Sequence, residues 1–132
     1  MNKICTTLKQ SEELIALGLD KMTADMAWDL LDGDEPDNKV PFCQPDRFDV
    51  NDDEFVPAWS LSALLELIPA YLGEFNDGID FGLSKSMNNK WYSAHYLQIK
   101  DNETTATKVI TGDTSVDAAF EMVKWLIKNS KI

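Results

Sequence analysis

The chain has 132 residues, 44% of them hydrophobic and 27% charged, with a formal charge of −11. That length and composition predict one globular domain over residues 1–132 and exclude a disordered chain. The charge repels phosphate backbones and argues against direct nucleic-acid binding, and no run approaches the roughly 18 apolar residues of a membrane span.

The charge is uneven. Residues 1–80 hold 18 acids against 5 bases, a net of −13, whereas residues 81–132 hold 5 acids against 7 bases, a net of +2. Two widely spaced cysteines, Cys5 and Cys43, with no metal-ligand spacing and no signal-peptide pattern, predict a cytoplasmic protein with both thiols free.

In chain order, TLKQSEELIALGLD opens on Thr7 and Gln10, the two ends of a capping box, and closes at Gly18. It predicts a helix with Leu8, Leu14, Ile15 and Leu17 inward. TADMAWDLL then predicts a short second helix, capped by Thr23 with Asp25 in its first turn and ended by Gly33. Residues 32–54 carry Pro36, Pro41, Pro45 and most of the acidic excess, with no period of 2 or 3.6. They read as a long acidic loop anchored by Val40, Phe42, Phe48 and Val50.

FVPAWSLSALLELIP, residues 55–69, predicts a third helix behind Pro57, with Ser60 as its N-cap and only Ser62 and Glu66 facing water. Trp59 either staples the helix entrance or presents an edge to solvent. Pro69 and Gly73 argue against continuation past residue 72.

From residue 78 the period turns to two. IDFGLSKS places Ile79, Phe81 and Leu83 on one face, MNNK makes a turn, and KWYSAHYLQIK is the clearest strand. DNET turns the chain again into TTATKVITG, which gives a three-stranded antiparallel meander. Finally Thr114 and Asp117 cap a helix over SVDAAFEMVKWLIKNSKI, whose Val116, Ala119, Phe120, Val123, Leu126 and Ile127 face the sheet. The predicted fold is α+β: N-terminal helices over about 7–72, then the meander with a C-terminal helix packed on it over about 78–130.

Four of these blocks, QSEELIALGL with MTADMAW, VPAWSLSALLELIP, the hairpin region and SVDAAFEMVKWLIKN, resemble a group of small proteins encoded by Bacteroides-type gut bacteria and their phages or mobile elements. The resemblance implies a small intracellular protein of mobile-element origin. It implies no activity and transfers no site residue.

The sequence contains no catalytic constellation. The single histidine, His95, sits mid-strand, no G-x-S-x-G surrounds a serine, and no glycine-rich phosphate loop is present. Asp49, Asn51 and Asp53 match the start of a calcium loop, but Glu54 stands where its glycine belongs and Ser60 where its bidentate glutamate belongs. No metal or cofactor is therefore expected. What survives is an interaction surface for a protein partner. Trp91, or Tyr92 and Tyr96, face outward from the side of the sheet without the helix, unless the acidic loop folds back over it, and Asp46, Asp49, Asp52, Asp53 and Glu54 concentrate the charge. The predicted function is a non-enzymatic binding or regulatory module. The alternatives are an acidic nucleic-acid mimic that inhibits a DNA-processing or defence protein, and an enzyme using carboxylates and a divalent ion.

Overall fold

A computed structural model describes residues 3–29, the backbone of 42–43, 55–88 and 90–132. The fold is α+β, with three α-helices and two antiparallel sheets among the described residues. The chain divides into two compact units, Ile4–Ala63 and Leu64–Ile132 with Met1–Lys3.

In the first unit, helix α1 (Leu8–Ala16) has the expected capping box. Gln10 N–H donates to Thr7 Oγ1 at 3.1 Å, and Thr7 N–H donates to Gln10 Oε1 at 3.0 Å. Gly18 adopts a φ of 93°, the left-handed conformation that ends a helix without a Cβ penalty.

The second expected helix does not form. Met26–Asp29 is instead strand β1, the centre of a three-stranded sheet between β2 (Phe42–Cys43) and β3 (Phe55–Ala58). Asp25 caps no first turn: its carboxylate accepts Ser60 N–H at 2.9 Å and the Ser60 hydroxyl. Thr23 ends a short 3-10 turn and accepts the indole N–H of Trp59 at 2.9 Å. Burial of Met26 and Ala27 suits strand or helix equally, so pairing across roughly 30 residues of sequence decides the matter.

Pro57 likewise lies in a strand. It sits opposite Ala27 on β3, an edge of the sheet among the described residues, which is where strands tolerate proline. Trp59 is fully buried, which settles its two readings against a solvent-facing edge. Beneath it Thr6 and Ser11, also buried, exchange a 2.7 Å hydroxyl hydrogen bond, and Thr6 Oγ1 accepts Trp59 N–H.

Helix α2 (Leu61–Leu67) straddles the division between the units. Ser60 caps it as expected, accepting Ala63 N–H at 3.2 Å. It is less buried than its composition suggests: Ala63 and Leu64 are inside, but Leu65 joins Ser62 and Glu66 at the surface.

The second unit is a four-stranded sheet with one helix across it. The strands are β4 (Tyr71–Leu72), β5 (Ile79–Lys85), β6 (Tyr92–Lys100) and β7 (Glu103–Gly112), in that spatial order. The sheet thus has four strands where three were expected, because β4 adds to one edge. Two residues are too few for a visible period, which is why β4 escaped prediction. Asp101 and Asn102 turn β6 into β7 with φ of 54° and 67°, the positive pair that a tight hairpin requires. A bulge follows, because Tyr96 pairs with Lys108 but Leu97 pairs with Ala106, leaving Thr107 extra.

Helix α3 (Ser115–Lys128) starts at Thr114, whose Oγ1 accepts Asp117 N–H at 3.0 Å. It packs on β5, β6 and β7 through Val116, Ala119, Phe120, Val123 and Leu126, with Ala118 and Met122 also buried. Ile127 is only half-buried, at the flank. Gly112 permits the close approach, because a Cβ there would stand 2.7 Å from the Ala118 amide nitrogen.

Candidate functional site

The pleat of β6 sorts its side chains onto two faces, and the register shows which face meets the helix. Phe81 pairs with Tyr96, Leu83 with Ala94, and Gly112, against α3, with Tyr92. Even-numbered residues of β6 therefore face α3, and Ser93, His95 and Leu97 lie on the other side.

Tyr96 corrects an expectation. It is not part of an exposed surface but is fully buried, its ring 5.5 Å from that of Phe81. Its hydroxyl donates to the Pro69 carbonyl at 2.6 Å, and burial pushes its pKa from 10.0 up to about 12. Tyr92 shares this face near its margin, half-buried, with the Lys85 ammonium 5.7 Å from its ring centre. Neither tyrosine belongs to the helix-free side.

Trp91, 43% exposed, is the member of the expected set that stays at the surface. On the helix-free face the register gathers Ile99 (73% exposed), Val109 and Tyr71. Tyr71 meets the exposed Phe75 ring edge-on at 5.7 Å. The exposed residues Ile99, Val109 and Tyr71 were missed by sequence reading. The signal available for the first two was their alternation within β6 and β7. Beyond Trp91, an open groove of about 470 Å³ at the β5–β6 turn is lined by Lys85, Ser86, Met87, Asn88 and Trp91.

His95 lies on the same face, flat over Gly82: a Cβ on that glycine would come 2.5 Å from Nε2. Its Nδ1 is 3.4 Å from Ser93 Oγ, at the long limit of a hydrogen bond. Among the described residues, no three His, Cys, Asp or Glu side chains come together as a metal site. Cys5 is buried. Asp46, Asp49, Asp52, Asp53 and Glu54, with the rest of the acidic loop, lie outside the described residues. No helix among the described residues is long and apolar enough to cross a membrane.

No protein-family model, curated protein or solved structure matches the chain. The resemblance to the gut-bacterial group rests on its four sequence blocks alone.

Proposed function

We propose that the chain is a non-enzymatic, intracellular protein-binding module that presents the helix-free face of its four-stranded sheet to a partner. The observation that carries this reading is that Ile99, Val109 and Tyr71, all exposed, share the sheet face opposite α3, with the exposed Trp91 just ahead of β6. Single exposed hydrophobes are ordinary; several brought to one face are a recognition surface. Aromatic anchors such as Trp91 and Tyr71 bring large contact area at low entropic cost. The acidic residues 46–54 enter the proposal through their charge, which steers a basic partner and discourages others.

The experiment is affinity capture from a bacterial lysate with the wild-type chain, with the variant Trp91→Ala/Ile99→Thr/Val109→Thr, and with a variant whose acids at 46–54 are neutralised. The proposal expects a partner that the wild type retains and the triple variant loses, with the neutralised variant capturing it more slowly. Identical profiles for wild type and triple variant would falsify it.

A further inference from the structure

The four-stranded sheet ends unequally. Strand β4, at one edge, has two residues, whereas β7, at the other, has ten and pairs with β6 alone among the described strands. Glu103 to Thr107, Val109 and Thr111 are exposed along it. A long edge strand offers a row of unpaired N–H and C=O groups, and proteins usually shorten, cover or charge such edges. From Glu103 to Gly112 there is no proline, one acid and one lysine, amid threonines, Val109 and Ile110 that favour extended backbone.

We propose that this edge joins a second copy of the chain, β7 against β7 antiparallel about a two-fold axis, to make one continuous eight-stranded sheet. The occupant is argued from self-complementarity. Cross-strand partners must lie on the same face, and in β7 the faces alternate up to Ala106 and resume after the bulge at Thr107. With Thr105 on the axis, Thr104 meets Ala106 of the other copy, and Glu103 falls opposite the bulged Thr107 and Lys108. Glu103, paired with Lys100, and Lys108, paired with Tyr96, are both on the α3 face, so the register sets two acid–base pairs symmetrically about the axis. The wrong charge would be fatal to such an arrangement, and here it is right.

Overall repulsion does not forbid it. The net of −13 belongs to residues 1–80, and residues 81–132, which carry the edge, have a net of +2. At physiological ionic strength charges separated by more than about 8 Å are largely screened. The surface involved is a sheet edge, not the helix-free face, so this inference stands or falls apart from the binding function.

Sedimentation equilibrium of the full chain, from micromolar to millimolar, tests it. A reversible monomer–dimer equilibrium is expected. E103K and K108E each convert both acid–base pairs to like-charge pairs and should weaken the dimer about tenfold. E103K/K108E restores opposite charges and should recover most of the loss. Because Lys108 also lies over the Trp125 ring, each variant is first checked by circular dichroism. T105K, which sets two like charges face to face on the axis, supplies a second reading that leaves that contact intact and should abolish dimerisation. A chain monomeric at every concentration overturns the inference. So does a dimer indifferent to T105K, or a weakened E103K dimer that the double reversal fails to recover.

Discussion

Two aromatics five residues apart, Trp91 just ahead of β6 and Tyr96 within it, differ sharply in exposure. Tyr96 has no exposed surface, packs on Phe81 and sends its hydroxyl to a backbone carbonyl. Trp91, just ahead of β6, keeps 43% of its surface in water. Both are large aromatics of the kind a strand favours, and residue type alone cannot separate them. The position of α3 does. One face packs against α3, and the other carries the exposed Ile99, Val109 and Tyr71.

The covered face is where substitutions should unfold the protein. Phe120→Ala removes a ring that is 2% exposed between helix and sheet, and we expect a loss of about 3–5 kcal/mol in urea denaturation. Gly112→Ala forces a methyl against the Ala118 backbone, and overpacking of this kind costs about 1–3 kcal/mol, read from the same transition. A neutral Gly112→Ala would mean that the helix sits further from β7 than described.

Tyr96→Phe sharpens the comparison through pH. Its folded pKa, about 12, exceeds the ordinary 10.0, so the folded state holds the proton more tightly. The stabilisation is therefore complete below about pH 10 and is lost as pH climbs through 12. That loss amounts to about 3 kcal/mol in the wild type. The variant should lose about 1 kcal/mol at neutral pH, for the missing hydrogen bond, and show a flatter decline in alkali. Melting curves between pH 9 and 12 distinguish the two. An equally steep decline in Tyr96→Phe would assign the alkaline loss to another group.

The bare face should behave in the opposite way. Ile99→Thr or Val109→Thr keeps the β-branched backbone preference and removes only exposed apolar surface. Each should change stability by less than about 0.5 kcal/mol.

Much of the second unit was legible in the sequence. The caps of α3, the alternation of β6 and the turn at Asp101–Asn102 are local signals, and local physics fixes them. The first unit was legible at α1, where Thr7 and Gln10 declare a helix start, and at Ser60, the N-cap of α2. TADMAWDLL misled because Met26 and Ala27 fit either element, and the deciding partners lie at Phe55–Ala58. Asp25, well placed for a helix dipole, serves a serine 35 residues away. Similarly, the burial of Tyr96 follows from the place of α3, which no residue of β6 encodes. The acidic residues of the expected surface lie outside the described chain, so their part in recognition is still a reading of charge.

The central claim, that the two faces have different work, is tested most directly by the unfolding free energy of Trp91→Ala/Ile99→Thr/Val109→Thr beside that of Phe120→Ala. The account predicts a triple variant within about 1 kcal/mol of wild type, while the single core substitution costs about three times that or more. A triple variant as damaged as Phe120→Ala would show that the helix-free face is itself part of the core.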